Sequence, residues 1–155
     1  MPIQFDEIIK QLPLLFERLQ QAPIADRSAV QEKFPFKGGI YVLYENDNPM
    51  YAGRTKCQIA KRVLIHSRAC SRHNAASFAF LLAKEQAKQE GVNLSRTRKQ
   101  LEEDEKFSSI FSRQKERIGK MKVRSVQITD PETQAIFEIY VSKMLKTKYN
   151  DFNTH

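Results

Sequence analysis

Four polar side chains suited to chemistry at a phosphate ester lie close together before the middle of the chain. They are Tyr41, Tyr51, Arg62 and His66. A guanidinium binds phosphate oxygens through charge-assisted hydrogen bonds, and an imidazole accepts and releases protons near neutral pH. A phenol has an ordinary pKa near 10, so a tyrosine that takes a proton from water needs a helper, for which His66 is the natural candidate. Two tyrosines, an arginine and a histidine within about 25 residues are a density of polar groups typical of a functional site.

A β-hairpin is predicted to position the two tyrosines. Strands are predicted at Ile40–Tyr44 and Met50–Gly53, with Gly53 ending the second strand. The segment Glu45–Pro49 between them is rich in Asn, Asp and Pro, which predicts a connecting loop of about four to six residues.

A helix is predicted to follow, from Thr55 or Lys56 to Ser67. Arg62 and His66 are four residues apart in it, and residues with this spacing share a helix face. The guanidinium and the imidazole are therefore expected to point the same way.

A carboxylate for the same chemistry is found on a later predicted helix. Asp130-Pro131 is a helix start, with a capping residue followed by proline at the first helical position. Glu138 lies at the edge of this helix's apolar stripe, where an unpaired charge is costly. A surface pair with lysine is the simpler interpretation, but a metal ligand explains the position better, since Mg²⁺ needs few protein carboxylates.

These residues resemble the motifs of the GIY-YIG nuclease family. Gly39-Ile40-Tyr41 matches the first motif, and Tyr51-Ala52-Gly53 matches the second, with Ala52 in place of isoleucine. The side chain of Ala52 is expected to point away from the tyrosines, so the change concerns packing. The resemblance runs from about Lys37 to Asn153 and rests on six positions: Tyr41, Tyr51, Arg62, His66, Glu138 and Asn150.

The resemblance implies a metal-dependent endonuclease and a role for each matched residue. Tyr41 would be the general base, and Tyr51 would orient the water or the phosphate. Arg62 would contact a phosphate oxygen, and His66 would assist Tyr41. Glu138 would hold one Mg²⁺ or Mn²⁺ ion per site, and Asn150 would support the site by hydrogen bonds.

The expected fold is α+β, with a small three-stranded antiparallel sheet flanked by helices. The hairpin supplies two strands and Met121–Thr129 the third. Residues 1–36 are expected to form an N-terminal helical extension, and residues 37–155 the nuclease-like domain with a charged helical insert at about 75–120. Residues 4–21 predict an amphipathic helix, kinked or divided at Pro13. This helix packs on the sheet or, alternatively, forms a dimer surface.

The positive charge is concentrated in the middle of the sequence. The net charge is +8, and residues 37–125 carry 19 basic and 9 acidic side chains. A clustered basic field is typical of proteins that bind polyphosphate partners, and the alternative is a merely solvated lysine-rich surface. The resemblance implies that the partner is DNA, double-stranded. Candidate contacts to nucleic acid are Arg54, Lys56, Arg68, Arg72, His73, Arg113 and Arg117.

Two basic segments have open interpretations. The polar loop that carries Arg68, Arg72 and His73 either contacts phosphate or is a solvated connector. Residues 96–119, in the later part of the insert, either read a DNA groove or form a helical pair laid over the sheet edge. In the earlier part of the insert, Phe78 and Phe80 are expected in the core of a helix from Ala75 to Gln89.

Length and composition predict the number of domains, the location of the protein and the state of its cysteines. A chain of 155 residues is expected to form one domain in the cytoplasm, without a membrane span or secretory signal. Cys57 and Cys70 lack metal-ligand spacing and are expected to be free thiols.

The function expected on all these grounds is a restriction-like or stand-alone DNA endonuclease. Cutting both strands would require a homodimer or two encounters, since one site cuts one strand. The alternative is a catalytically silent nucleic-acid-binding module of the same fold. A third interpretation is a protein-interaction domain that uses the N-terminal helix.

Overall fold

A computed structural model describes residues 4–150 and confirms an α+β architecture. The chain forms two compact units, one of residues 4–62 with 122–150 and the other of residues 63–121. The elements in chain order are α1 (Phe5–Gln21), α2 (Val30–Lys33), β1 (Lys37–Glu45), β2 (Asn48–Gln58), α3 (Ile59–Ile65), α4 (Ser77–Gln89), α5 (Arg98–Glu103), α6 (Glu105–Gly119), β3 (Lys122–Gln127) and α7 (Pro131–Leu145).

The predicted antiparallel sheet is present in the first unit. Its strand order is β2-β1-β3, so β1, which carries Tyr41, is central. Tyr41 lies opposite Gly53 on β2 and opposite Ser125 on β3. Side chains alternate between the two faces of a strand, so Tyr41 and its neighbours Ile40 and Val42 belong to different faces.

The connection between β1 and β2 is tighter than predicted. Asn46 and Asp47 alone separate the paired residues Glu45 and Asn48, and both turn residues have positive φ, 51° and 68°. This is the backbone of a type I′ hairpin turn, whose twist matches that of the strands. The predicted loop of four to six residues is wrong because Asn and Asp adopt the left-handed conformation at low cost.

The extended hairpin displaces the following helix. β2 does not end at Gly53 but continues to Gln58, pairing with β1 as far as Lys37. The helix α3 therefore begins at Ile59, later than the predicted Thr55 or Lys56, and ends at Ile65 before the predicted Ser67.

The N-terminal helix packs on the sheet, which is one of its two predicted roles. The stripe of Ile8, Leu12, Leu15 and Leu19 is buried in a core that also contains Ile40, Val42, Tyr44, Ala52, Val126, Ile128, Phe137 and Val141. The predicted division at Pro13 is wrong, since α1 is a single helix of 17 residues that contains Pro13. The carbonyl that loses its donor is that of Ile9, four residues earlier, and both Ile9 and Pro13 are exposed to water. The buried stripe stabilises both halves of the helix.

The second unit is helical and has its own core. Phe78 and Phe80 of α4 are buried as predicted, and Phe80 packs against Phe107 and Phe111 of α6 at centroid distances of 5.3 and 5.7 Å. Asp104 caps α6 by accepting a hydrogen bond of 2.9 Å from the Phe107 N–H. The charged insert thus folds around aromatic residues at helical spacing.

Local signals also explain the last helix of the first unit. Asp130 accepts hydrogen bonds from the N–H and the hydroxyl of Thr133, and Pro131 is the first helical residue, as predicted. These bonds lower the pKa of the Asp130 carboxyl. Lys146, with φ of 55°, closes the helix in the left-handed conformation.

Two smaller predictions can be compared with the structure. Both cysteines are free and exposed. Among residues 4–150, no helix combines the length and the apolar character needed to cross a membrane.

Candidate active site

The candidate site is centred on the phenol of Tyr41, in the middle of β1. The side chain is buried, with 1% of the residue exposed. Burial raises the pKa of Tyr41 above its ordinary value, and the neighbouring Tyr51 and Glu138 raise it further. The Arg62 side chain hydrogen-bonds to Tyr41 and partly lowers the pKa again. Four of the six predicted residues therefore interact electrostatically around one phenol.

Four different elements bring these side chains together. Tyr41 comes from β1, Tyr51 from β2, Arg62 from α3 and Glu138 from α7. The tyrosines are not direct partners in the sheet, because Tyr51 lies opposite Leu43. Their proximity results from neighbouring strands of one hairpin, and α3 and α7 supply the charged groups.

Gly53 makes room for the phenol. It lies opposite Tyr41 in the sheet, and a Cβ placed on Gly53 would overlap both the ring and the hydroxyl oxygen of Tyr41. Gly53 is thus required by the close approach of an aromatic ring rather than by its backbone conformation. Ala52, next to it, is buried in the core of the other sheet face, as expected for a packing residue.

Glu138 is the carboxylate of the site, and most of its side chain is buried. Its side chain is 19% exposed, and burial raises the pKa of its carboxyl above the ordinary value. The Nε of Arg54 lies 3.9 Å from Oε1 of Glu138 and opposes this rise. That separation is longer than a hydrogen bond, so the carboxylate is only weakly compensated.

Asn150 supports the strand that carries Tyr51 and Gly53. Its Oδ1 accepts a hydrogen bond of 2.8 Å from the Ala52 N–H, and its Nδ2 donates one of 2.7 Å to the Ala52 carbonyl. Both polar atoms of the amide are used in this way, at the edge of the sheet. Asn150 therefore holds β2 at Ala52, and its support of a catalytic site stays a prediction.

His66 differs from its predicted setting. It follows the last residue of α3, and its N–H bonds to the Val63 carbonyl three residues back. The prediction that Arg62 and His66 share a helix face is wrong in its premise, because the helix ends before His66. The imidazole is fully buried and belongs to the second unit, so its assistance to Tyr41 stays a prediction.

The donor set around Glu138 suits a hard cation held by few protein ligands. Residues 4–150 contain no group of three or more His, Cys, Asp or Glu side chains arranged to hold a metal ion. A single half-buried carboxylate with raised pKa still fits Mg²⁺ or Mn²⁺, since these ions keep several waters and bind through one or two carboxylates. Glu138 is the residue that would hold the ion.

The predicted nucleic-acid contacts are distributed over both units. Arg54 and Lys56 are exposed on β2 of the first unit, and Arg54 also faces Glu138. Arg68 and Arg72 are exposed on the loop after α3.

The other three residues predicted to contact nucleic acid interact with neighbouring side chains in the second unit. His73 Nδ1 lies 2.5 Å from Oε2 of Glu102, Arg113 lies 3.7 Å from Glu90, and Arg117 bonds to Gln114. Arg113 stays largely exposed, whereas His73 is turned towards its carboxylate. The loop arginines and the β2 cations are therefore better placed for phosphate than His73.

One buried polar residue was missed by the sequence interpretation. Lys115 of α6 is only 5% exposed. Its position was indicated by spacing, because Lys115 lies four residues after Phe111 and three before Ile118, on the apolar face of the helix. A lysine in such a stripe predicts either a buried partner or a functional role.

Comparison with known proteins gives no relative. No protein-family model, curated protein or solved structure matches this chain.

Proposed function

We propose that this protein is a metal-dependent endonuclease of the GIY-YIG kind that hydrolyses phosphodiester bonds in DNA. The observation that carries the proposal is the cluster around Tyr41. Two tyrosines, two arginines and one weakly compensated carboxylate come together from four elements, although they are separated by up to 97 positions. A core that needed only packing would not require charged groups around a buried phenol.

The two arginines suit the binding of a phosphodiester. Arg62 is half-buried and Arg54 is exposed, so part of each side chain is accessible to a substrate. Guanidinium groups bind non-bridging phosphate oxygens and stabilise the charge that develops on them during hydrolysis. Arg54 would exchange its long contact with Glu138 for a contact with substrate.

Glu138 would hold the metal ion. When bound, Mg²⁺ supplies stabilisation of the negative charge on the phosphate and the leaving oxygen. A cation beside Glu138 would also favour the ionised carboxylate, which burial disfavours.

Tyr41 would act as a proton relay. Its raised pKa means that the phenol carries its proton at neutral pH, so it cannot act as a standing base. It can accept a proton from the attacking water only as its own proton leaves, and His66 is the predicted acceptor. The Arg62 hydrogen bond assists by lowering the cost of the phenolate.

A second candidate function is a nucleic-acid-binding module without catalysis. The burial of Tyr41, at 1% exposed, favours it, because a phenol closed off from solvent does not meet a water molecule without movement. The exposed cations Arg68 and Arg72 serve binding equally under both candidates.

Cleavage of supercoiled plasmid DNA tests the proposal. Wild-type protein is compared with Tyr41→Phe and Glu138→Gln, each with Mg²⁺, with Mn²⁺ and with EDTA. We expect metal-dependent nicking, reduced roughly 10²–10⁴-fold in Tyr41→Phe, as for the loss of a general base. Linearisation with second-order dependence on protein would indicate that two copies cut the two strands.

Matched variants separate catalysis from folding. Glu132→Gln changes an exposed carboxylate on the same helix as Glu138, and Tyr140→Phe removes a hydroxyl elsewhere on α7. Both should cut like the wild type. Tight DNA binding with no cleavage under either metal would overturn the nuclease and leave the binding module.

A further inference from the structure

The second unit contains a cavity that the proposed nuclease chemistry does not use. Its volume is about 300 Å³, and it is bounded by the loop after α3 and by side chains of α5 and α6. This is at the lower end of the range for small-molecule sites. The cavity has room for a phosphate group and part of the molecule that bears it.

A buried ammonium group forms one wall of the cavity. Lys115 Nζ donates hydrogen bonds of 2.7 Å to the Ala69 carbonyl and 3.0 Å to the Ser71 carbonyl, and lies 4.4 Å from the centre of the Phe111 ring. Burial lowers the pKa of Lys115, and the charge of Glu102 opposes this effect. The carbonyls and the ring hold the cation in one place, so an anion entering the cavity meets a fixed positive charge.

Two further cations and two hydroxyls line the same space. Arg72 and Lys99 are exposed at the cavity, and within residues 4–150 neither forms an ion pair. Ser108 and Ser112 are four residues apart on α6 and both line the cavity. Phosphate oxygens accept hydrogen bonds from guanidinium, ammonium and hydroxyl groups.

The carboxylates at the cavity do not cancel this charge. Three cations face two carboxylates, Glu102 and Glu103. Glu102 is directed towards His73, with Oε1 accepting from the His73 N–H at 3.1 Å and Oε2 lying 2.5 Å from Nδ1. The cavity is therefore left with a positive excess and with donors in place.

We propose that this cavity binds a phosphate ester, with Arg72 and Lys99 as the contacting cations and Lys115 as the fixed charge behind them. The phosphate could belong to a nucleic acid strand or to a free nucleotide, since both present the same group. The proposal is independent of cleavage, because it concerns binding in the second unit alone.

Chemical-shift mapping of the full chain in EDTA tests it. The probes are inorganic phosphate, thymidine 5′-monophosphate and a short DNA duplex without terminal phosphates. Saturable shifts of the Ser108 and Ser112 amides are expected with at least one probe. Selectivity for the monophosphate would assign a nucleotide, and selectivity for the duplex would assign a nucleic acid strand.

Variants that remove equal charge show whether the phosphate binds in the cavity or elsewhere on this unit. Arg72→Gln with Lys99→Gln should weaken binding about tenfold or more, as expected when charge-assisted hydrogen bonds are lost. Lys88→Gln with Lys120→Gln removes the same charge from exposed positions of this unit outside the cavity and should leave the affinity within about twofold of wild type. All four residues are exposed, so both variants should fold. Equal weakening in the two variants, or no saturable shift with any probe, would overturn the proposal.

Discussion

The ring of Tyr41 occupies the space over Gly53, its partner across the hairpin, and leaves no room for a side chain there. Two residues twelve positions apart thus depend on each other's size. One supplies the phenol of the candidate site, and the other lacks the atom that would displace it.

We predict that Gly53→Ala destabilises the protein by about 1–3 kcal/mol, the range for overpacking a well-packed site. The new methyl group overlaps the Tyr41 ring, so the ring or the strand must shift. Urea unfolding of the single and double variants measures the coupling. In a Tyr41→Ala background the added methyl should cost much less, whereas an equal cost in both backgrounds would contradict the proposed contact.

A second prediction concerns the pH dependence of stability. Because burial raises the pKa of Glu138, the folded chain keeps this proton at pH values where the unfolded chain has released it. Stability is therefore lost as the pH rises from the ordinary glutamate value through the raised one. Glu138→Gln removes this loss and should be more stable than wild type at neutral pH, although it should no longer cut DNA.

Urea unfolding at a series of pH values checks this sign. The difference between Glu138→Gln and wild type should shrink towards acid pH, where both forms are neutral. Glu132→Gln, on the exposed side of the same helix, serves as the control. A variant less stable than wild type at neutral pH would mean that the ion pair with Arg54 outweighs the cost of burial.

A third prediction follows from the double hydrogen bond between Asn150 and Ala52. Asn150→Ala removes both bonds at the β2 edge and should cost about 1–3 kcal/mol, at about 0.5–1.5 kcal/mol for each bond. The Ala52 amide should then exchange with deuterium faster than in wild type. Asn150→Asp keeps the acceptor for the Ala52 N–H but sets a carboxylate oxygen against the Ala52 carbonyl, so it should not restore protection. Unchanged exchange in both variants would exclude the supporting role.

A fourth prediction concerns the buried amine of the second unit. Lys115→Met keeps most of the side-chain volume but leaves the Ala69 and Ser71 carbonyls without their donor. Loss of these bonds should destabilise the unit by roughly 1–3 kcal/mol. Faster amide exchange over residues 69–76 is the expected signature, with exposed Lys120→Met as the control. If exchange in this loop is the same in both variants, the lysine does not hold it.

Much of the secondary structure was predictable because its causes are local. The caps of α6 and α7 at Asp104 and Asp130 involve residues three positions apart, and the buried stripe of α1 follows helical spacing. The errors arose where two local signals competed. Turn-forming residues indicated a loop at Glu45–Pro49, but strand pairing extends the hairpin to a two-residue turn and carries β2 on to Gln58.

The candidate site was predictable as a set of residues but not as an arrangement. The spacing of Tyr41, Tyr51 and Arg62 within one hairpin and helix already indicated proximity. Neither the ion pair of Arg54 with Glu138 nor the use of the whole Asn150 amide by Ala52 could be read from spacing, since these partners lie 84 and 98 positions apart. The position of His66 was not predictable either, because α3 starts later and ends earlier than the helix read from the sequence, and His66 follows its last residue.

The sequence by itself determined which residues could do chemistry, which segments form helices and strands, and where the positive charge is concentrated. These properties depend on residue type and on neighbours within about four positions. Only the tertiary structure decided that Tyr41 is enclosed, that Glu138 faces Arg54, and that Lys115 is turned towards two backbone carbonyls. These relationships depend on which elements pack together and at what register, and burial then sets the pKa values on which the proposed chemistry depends.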